Sequence, residues 1–208
     1  MKERPILFSA PMVRALLNGT KTQTRRVCTP ANAANLSHVV ECPYAQWGDE
    51  DGEVLFKSPY GVFADRLWVR ESFSGPHCME KTDEFPALPP GQWPPESSIW
   101  YWADGEPTHG DWTRPRPSIH MPRWASRITL LITNVRVERL QDISEADAMA
   151  EGIVPAGDGN GFQLADTTHY MGNPIDSYFS LWEAINGAES VEANPWVWAV
   201  EFKRKDPA

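Results

Sequence analysis

A lysine and a threonine that could act together in catalysis stand in the segment 18–26, which reads NGTKTQTRR. A neutral Lys21 amine can take the proton of the Thr24 hydroxyl and make that hydroxyl a nucleophile. A lysine is neutral near physiological pH only if desolvation or nearby cations lower its pKa. Arg25 and Arg26 follow directly and supply such cations. The segment is therefore a candidate for nucleophilic catalysis.

The spacing of these two residues also supports a plainer interpretation. Residues three apart on a straight strand point to opposite faces of the sheet, so the backbone must curl for Lys21 and Thr24 to meet. Without that curl, the segment is an exposed connection between a helix and a strand, and its cations bind phosphate or water. Spacing alone favours this second interpretation.

Signatures of other chemistries are absent from the sequence. It contains no P-loop, no dinucleotide-binding glycine fingerprint, no G-x-S-x-G and no zinc-protease motif. The segment GDGNG at 157–161 lacks the later acidic ligands of a calcium loop, which favours a flexible turn. A zinc site would have to be assembled without a C-x-x-C pair from Cys28, His38, Cys42, His77 and Cys78. We therefore predict no metal and no cofactor.

The composition is that of an ordinary globular protein. Hydrophobic residues make up 41% of the chain and charged residues 23%, and no apolar run reaches transmembrane length. The start of the chain lacks a signal-peptide core, and the three cysteines are irregularly spaced. We expect a cytoplasmic protein with no membrane partner and no disulfide framework.

Charge is unevenly distributed along the chain. The net charge is −9, yet segments 1–30 and 112–139 each hold six basic residues against one acidic residue. If these two segments meet in space, they form a cationic face that suits one nucleotide or a short strand of nucleic acid. The alternative is that their arginines are solvated strand residues.

Hydrophobic periodicity predicts the elements that position these residues. The first helix follows Ser9, has Pro11 in its first turn and ends at Gly19. The second helix runs from a cap at Ser144 to Gly152. The third helix is capped by Asp176 and Gly187, and its inward residues are Phe179, Trp182 and Ile185. Segments 29–61 and 154–174 are predicted as loop, the first with a hairpin as an alternative. Strands are predicted at 4–9, 65–71, 128–137 with a bulge near 133–134, and 194–204.

Segment 72–118 differs in character from the rest. It holds nine of the 19 prolines, which are too many for a regular sheet, together with enough Trp and Tyr to pack on the body.

Elsewhere the elements show no regular alternation of strand and helix, so a doubly wound parallel sheet is not expected. The pattern predicts an α+β fold with mostly antiparallel strands, in a small barrel or curled sheet.

The stretch GTKTQTRR resembles the G-x-K-x-x-T-x-R signature of the ASCH domain family, with Gly19, Lys21, Thr24 and Arg26 in the signature positions. Three further segments follow the order of the family: the strand ADRLWVRE, the helix ISEADAMAEGI and the closing strand WVWAVEFK. A longer pattern, which includes RPILFSAPMVRALLNGTKTQTRR and HMPRWASRI, is similar to ASCH proteins common in bacteriophages and prophages. The resemblance covers 1–30, 62–72 and 120–205. It implies one domain over 1–208, a PUA-like small β-barrel with flanking helices, into which a long Pro/Trp-rich insertion is placed at about 72–118.

The family includes a small amidohydrolase that deacetylates N4-acetylcytidine. The resemblance implies that Lys21 and Thr24 are catalytic, together with a glutamate near the end of the helix after the long strand. That glutamate matches Glu151, or Glu145 if the alignment is shifted. Lys21 would activate Thr24, Thr24 would attack the amide carbonyl, and Glu151 would shuttle a proton to the leaving amine or orient Lys21. Arg26 would bind an anion or stabilise the oxyanion.

We therefore expect a cationic cleft for a nucleoside, nucleotide or single-stranded RNA. Its predicted substrate-binding residues are Gly19, Arg25, Arg26, Arg70 and Arg123. The leading hypothesis is hydrolysis of a modified pyrimidine nucleoside with an N4-acetylcytidine-type amide. A non-catalytic RNA-binding module and a single-stranded RNA ribonuclease stay open, because the fold alone does not determine the reaction.

Overall fold

Strands outnumber helices in the structure, which is a computed structural model with a mixed α+β fold. It describes residues 1–28, 40–42, 46–48, 54–76, 89–93, 98–157, 159–164 and 167–205. The helices and strands of this part of the chain are β1 (Glu3–Leu7), α1 (Ala10–Leu17), β2 (Gln23–Val27), β3 (Val40–Cys42), β4 (Gln46–Gly48), β5 (Val54–Lys57), β6 (Arg66–Arg70), β7 (Phe73–Ser74), β8 (Trp100–Tyr101), β9 (Thr129–Arg139), α2 (Glu145–Ala150), β10 (Ile153–Pro155), β11 (Phe162–Leu164), α3 (Pro174–Asn186) and β12 (Trp196–Lys205).

A five-stranded sheet in the order β1-β6-β9-β12-β2 forms the centre of the fold. Strand β1 pairs in parallel with β6, and the other neighbours are antiparallel. The predicted closed barrel is not confirmed, because the described strands form open sheets and β1 does not pair with β2. A side chain does cross between these two edge strands, since Nη2 of Arg26 donates to the Leu7 carbonyl at 2.6 Å.

The long strand β9 carries the predicted bulge. Asn134 lies opposite Glu201 and Ile132 lies opposite Phe202, so Thr133 has no partner on β12. The extra residue keeps both Ile132 and Val135 on buried positions, at 0% and 5% exposure. The prediction of one bent strand with a bulge at 133–134 is confirmed.

The buried apolar residues form two main clusters on either side of β12. One cluster lies between the sheet and α1 and includes Trp198, Val200 and Phe202 of β12. The other lies under α3 and the β10–β11 hairpin and includes Val197. Because β12 is a central strand of the sheet, side chains on both of its faces are buried.

The C-terminal half departs from the sequence-based prediction in two places. Segment 154–174, predicted as loop, contains the antiparallel hairpin β10–β11. Helix α3 is capped by Asn173, whose side chain accepts from the Asp176 amide at 2.8 Å, so the predicted cap at Asp176 is wrong. Trp182, predicted inward, is 5% exposed as expected, but Ile185, also predicted inward, is 53% exposed, because the buried stripe of α3 runs through Tyr178, Leu181 and Trp182.

The described part of the insertion packs against the body. Phe73, Trp93, Met121 and Ala125 form a third buried cluster. The Tyr101 hydroxyl donates to the Ala125 carbonyl at 2.9 Å. These contacts agree with the expectation that aromatic residues of segment 72–118 pack on the body.

Replacing Gly75 by alanine should destabilise the protein by about 1–3 kcal/mol, the usual cost of overpacking a core. A Cβ at Gly75 would lie 2.2 Å from Cζ3 of Trp93, a side chain that is only 2% exposed. Urea unfolding measures the effect. Gly172→Ala is the matched control, because a Cβ there meets nothing within 4 Å. Equal urea midpoints for Gly75→Ala and Gly172→Ala would contradict the close packing of Trp93 against Gly75.

Within the described ranges, no helix combines the length and the apolar character that crossing a membrane requires.

Candidate active site

Lys21 and Glu151 form a buried ion pair. The Lys21 amine donates to Oε2 of Glu151 at 2.7 Å and to its backbone carbonyl at 2.8 Å. The two side chains are 0% and 4% exposed. Their backbones form an isolated antiparallel bridge, and the Thr22 amide donates to the Ala150 carbonyl at 2.8 Å. The residues before β2 are thus held against the end of α2.

The sequence at the start of α2 explains where this helix begins. Ser144 is the N-cap, and its hydroxyl accepts from the Asp147 amide at 3.1 Å and donates to the Asp147 carboxylate at 2.9 Å. The six-residue helix then carries Glu151 to its C-cap position. Glu145, the alternative carboxylate, is the first residue of the helix and is exposed.

Gly152 allows the close packing behind the ion pair. Its φ of +103° is a conformation that side chains with a Cβ rarely adopt, and a Cβ there would lie 3.1 Å from Leu164 Cδ1 and 3.3 Å from Lys21 Cβ. The glycine therefore lets α2 end, turn into β10 and bring Glu151 onto the lysine.

Arg25 binds the other oxygen of the Glu151 carboxylate. Its Nη1 donates to Oε1 of Glu151 at 3.3 Å, while Nε and Nη2 donate to Oε1 of Glu138 at 2.9 and 2.5 Å. Nη2 also lies 3.3 Å from Oδ2 of Asp147, and the Arg25 side chain is 0% exposed. The guanidinium is thus shared among three carboxylates, which makes it unsuited to binding a phosphate of a ligand.

A second arginine extends this charged cluster away from the lysine. Arg136 donates to Oε2 of Glu138 at 2.8 Å and to Oδ1 of Asp147 at 2.9 Å, and it pairs with Glu201. Burial acts to raise the pKa of Asp147, but the Ser144 hydrogen bond and the charges of Arg136 and Arg25 outweigh it and lower that pKa. The two basic segments of the sequence do meet here, but their cations are neutralised, so the expected cationic face is not seen in this part of the molecule.

Burial lowers the pKa of Lys21. The charge and hydrogen bond of Glu151 act in the opposite direction, whereas Arg26 and Arg25 lower the pKa further. Desolvation is the largest of these causes. The pKa of Lys21 is therefore shifted in the direction that a general base requires.

Arg26 leaves one donor unused. Its Nη2 is bound to the Leu7 carbonyl, and its guanidinium carbon lies 5.4 Å from the centre of the Phe8 ring. The Lys21 amine lies 5.7 Å from the centre of the same ring. The buried Nε of Arg26 has no hydrogen-bond partner among the described residues. That atom has less than 1 Å² of exposed surface, so a ligand reaches it only if the side chains around it move.

A recess of about 430 Å³, its open mouth included, lies between β2 and α3. Thr24, Arg26 and Glu151 line one side, and Tyr178 and Trp182 line the other. The enclosed space within it is about 60 Å³, which is smaller than the roughly 300–1,000 Å³ of small-molecule pockets. A ligand of nucleoside size therefore needs the walls of the recess to move apart or lies partly in its mouth.

Thr24 is in this recess without a fixed partner. It is 2% exposed, and within the described chain its hydroxyl makes no hydrogen bond, including none to Lys21. The lysine does not line the recess itself but contacts its wall through Glu151. Glu151 thus contacts Lys21 and lines the same recess as Thr24, whereas no hydrogen bond joins the Thr24 hydroxyl to the Lys21 amine.

Three predicted substrate-binding residues lie elsewhere. Gly19 is in the turn after α1. Arg70 donates to the Met121 carbonyl at 3.1 Å, and Arg123 donates to Glu3 at 3.0 Å. Both guanidinium groups lie over the Trp68 ring, at 5.1 and 5.9 Å. Among the described residues, the recess lining includes none of the three.

Sequence reasoning missed Tyr178 and Trp182 as candidate site residues. A helical stripe of aromatic residues has the same periodicity whether it fills a core or borders a cavity, so the pattern cannot separate the two. Glu138 was missed as well, because a lone glutamate on a long strand has no motif around it.

Of the candidate zinc ligands, only Cys28 has a side chain within the described residues. Cys28 is a buried free thiol, and burial raises its pKa to about 12. His38, His77, Cys78 and the side chain of Cys42 lie outside the described residues. Across the ranges that are described, no three His, Cys, Asp or Glu side chains are grouped as metal ligands.

Comparison with known proteins returned no matching family profile, curated protein or solved structure.

Proposed function

We propose that the protein is an ASCH-type amidohydrolase that removes the acyl group from the exocyclic nitrogen of a modified pyrimidine nucleoside of the N4-acetylcytidine type. The observation that carries the proposal is the fully buried Lys21–Glu151 pair beside a recess lined by Thr24. A lysine of lowered pKa, a carboxylate and an uncommitted hydroxyl are the groups that acyl transfer requires. The open, curled sheet is proposed to be a variant of the PUA-like barrel.

The proton first moves within the ion pair. Transfer from the Lys21 ammonium to Oε2 of Glu151, along the 2.7 Å hydrogen bond, gives a neutral amine and a neutral carboxylic acid. The amine then takes the Thr24 hydroxyl proton as the threonine oxygen attacks the amide carbonyl carbon. Because no hydrogen bond joins Lys21 to Thr24, one water or a shift of the lysine on substrate binding must close this gap.

Collapse of the tetrahedral intermediate breaks the carbon–nitrogen bond. Glu151 gives its proton to the leaving exocyclic nitrogen, which releases cytidine and leaves the acetyl group on Thr24 as an ester. Water then attacks the ester carbonyl as the Glu151 carboxylate takes one of its protons, and the Lys21 ammonium gives a proton to the Thr24 oxygen as the ester carbon–oxygen bond breaks. The acetic acid released loses its remaining proton to solvent, and transfer of the Glu151 proton to the Lys21 amine completes the cycle. The pair ends in its initial protonation state.

Arg26 is proposed to stabilise the oxyanion of the intermediate. Thr24 and Arg26 are two residues apart on β2, so their side chains leave the same face of the strand. The guanidinium is held by Leu7 and Phe8, and its positive charge on this face of the strand would stabilise a developing oxyanion.

The charge distribution favours this reaction over an RNA-binding module. An RNA reader needs cations along an open groove, because phosphate contacts supply most of its affinity. In the site, Arg25 and Arg136 are instead committed to Glu138 and Asp147. Lys21 is committed to Glu151.

Acetate release from N4-acetylcytidine tests the proposal. Wild-type protein should release acetate and cytidine, and Lys21→Ala and Glu151→Gln should not. Arg123→Ala is the matched control for loss of a cation outside the recess and should leave the rate unchanged. Oligonucleotide binding with a steep salt dependence and no acetate release would support the RNA-binding alternative, while shortened RNA products would support a ribonuclease.

The rate should fall as the pH rises through the pKa of Lys21, because the reaction starts from a Lys21–Glu151 pair that holds one proton and above that pKa Glu151 has no proton to give to the leaving nitrogen. Burial places that pKa below the ordinary lysine value of 10.5. In a pH profile of kcat/KM, the descending limb should therefore begin below pH 10.5. In Arg25→Gln, which removes one cation near the amine, the limb should move to higher pH. A limb that does not respond to this change would contradict Lys21 as the base.

A further inference from the structure

One half of the outer face of the central sheet carries a group of cations. Leu131 of β9 lies opposite Arg66 of β6 on one side and opposite Lys203 of β12 on the other, so the three side chains share a face. Residues two positions further along each strand belong to the same face. This surface, called the outer half-face, carries side chains that are exposed or half-buried: Arg66, Trp68 and Arg70 of β6, Thr129 and Leu131 of β9, and Lys203 and Lys205 of β12.

Arg123 brings a fifth cation to the outer half-face from the turn that precedes β9. Its Nη2 lies 3.5 Å from Oγ1 of Thr129, and its Nε donates to Glu3 at 3.0 Å. The guanidinium groups of Arg70 and Arg123 both lie over the Trp68 ring, which holds them in place. Five cations against the Glu3 carboxylate leave a net charge of +4 on this surface, although the whole chain carries −9.

The spacing of these cations suits a chain of phosphates better than a single anion. Neighbouring strands of a sheet are about 4.8 Å apart, so the cations of β6 and β12 are separated by roughly 10 Å across β9. Arg66 and Arg70 are separated by about 13 Å along their strand. These groups are too far apart to close around one phosphate, but a polyanion can contact them in turn and release its counterions as it binds.

The cluster of Trp68, Arg70 and Arg123 favours a nucleic acid over an acidic peptide. Nucleobases stack on aromatic rings and on the planes of guanidinium groups, and this cluster supplies both kinds of surface. The carboxylates of an acidic peptide have no flat ring that could stack in this way. The polyanion that fits the outer half-face is therefore one that carries bases.

A second recess, called the Lys203 recess, opens at the end of this surface between β12 and α2. Its volume is about 410 Å³, within the range of roughly 300–1,000 Å³ for small-molecule pockets. Arg136 pairs with two carboxylates of the lining, so the recess offers hydrogen-bonding groups to a neutral base. A single strand can turn one base into it, whereas a duplex keeps its bases paired. The polar lining residues are Thr22, Gln23, Thr133, Asp147, Glu201 and Lys203.

We propose that the outer half-face binds single-stranded nucleic acid, with the backbone across the five cations and one unstacked base in the Lys203 recess. The described lining of the recess that contains Thr24 includes none of these residues. Binding here is therefore independent of the proposed hydrolysis, and a protein that releases no acetate can still bind the strand.

The binding is measured by fluorescence anisotropy at several salt concentrations, with a labelled oligothymidylate of about 16 nucleotides, the upper site size of single-strand-binding folds. The test variant is Lys203→Ala/Lys205→Ala. The matched control is Lys57→Ala/Arg204→Ala, which removes the same charge. Arg204 alternates with the two lysines on β12 and donates to the Leu17 carbonyl of α1, and Lys57 is on β5, outside the central sheet. All four substituted side chains are exposed, so both variants should fold.

Wild type should bind the single strand more tightly than a duplex of the same length. Each phosphate contact to a single strand contributes about 0.7 to the salt slope, so the test variant should lose about 1.4 of that slope and bind about 25-fold more weakly at 0.1 M salt. The control should bind within about threefold of wild type, because its charges do not contact the strand and are screened by salt.

An equal loss in the two double variants would show that only net charge matters and would refute the site. Tighter binding of the duplex would refute a single strand as the occupant. Displacement of the oligonucleotide by polyglutamate at equal charge would identify an acidic protein as the partner instead. Absence of binding at low salt would overturn the proposal.

Discussion

Glu151→Gln is expected to lower the free energy of unfolding by about 3–5 kcal/mol, the usual effect of removing one partner of a buried ion pair. The Lys21 side chain is 0% exposed, so its ammonium would stay in the interior without a carboxylate. Arg25 would lose one of its three carboxylate partners at the same time. Equilibrium unfolding in urea at pH 7 measures the change.

Glu145→Gln is the matched control for this experiment, because Glu145 is exposed on the same helix; its effect should be within about 0.5 kcal/mol. The double variant Lys21→Met/Glu151→Gln should recover much of the loss, because it leaves no unpaired charge. A loss in Glu151→Gln no larger than that in Glu145→Gln would show that the pair is not buried in solution.

The difference in free energy of unfolding between wild type and Glu151→Gln should also become smaller as the pH rises. Glu151 raises the pKa of Lys21, so its removal lowers that pKa further below the ordinary 10.5. Between the folded-state pKa and 10.5, the unfolded chain binds more protons than the folded one, and stability therefore increases with pH. A deficit that stays constant up to pH 10 would contradict the lowered pKa.

Thr24→Val is expected to reduce the rate of acetate release by a factor on the order of 10³ or more, because it removes the nucleophile. Valine has nearly the shape of threonine, and the Thr24 hydroxyl makes no hydrogen bond within the described chain. The stability should therefore change little. Steady-state assays of acetate release, with unfolding curves alongside, separate the two effects.

Thr24→Ser is the control for this second experiment, since it keeps a hydroxyl on the same strand position. It should retain measurable activity. If Thr24→Val releases acetate at the wild-type rate, then water rather than threonine attacks the amide, and the role assigned to Thr24 is wrong.

Much of the framework could be predicted from the sequence because it depends on local patterns. The alternation in 65–71 correctly predicted strand β6, on which Leu67 and Val69 alternate with partly exposed residues and are buried. The change of phase in β9 correctly indicated the bulge. The hairpin β10–β11 was missed because its glycines and short strands resemble loop sequence, and its pairing is decided by contact with α3.

The candidate site was predictable only in part. The juxtaposition of Lys21 with Glu151 followed from the family resemblance and not from spacing, because 130 residues separate them. The commitment of Arg25 to Glu138 depends on the order of strands in the sheet, which the sequence does not state. Arg70 and Arg123 were assigned to the cleft on charge alone, whereas the structure places both beside Trp68.

Hydrolysis through Thr24 is tested most directly by one acid-quenched reaction of wild-type protein with N4-acetylcytidine, analysed for products and for the mass of the peptide that contains β2. We expect cytidine and acetate to form and an acetyl group to be found on Thr24 during turnover. If no cytidine forms at any time while the protein remains folded, the proposed hydrolysis is contradicted.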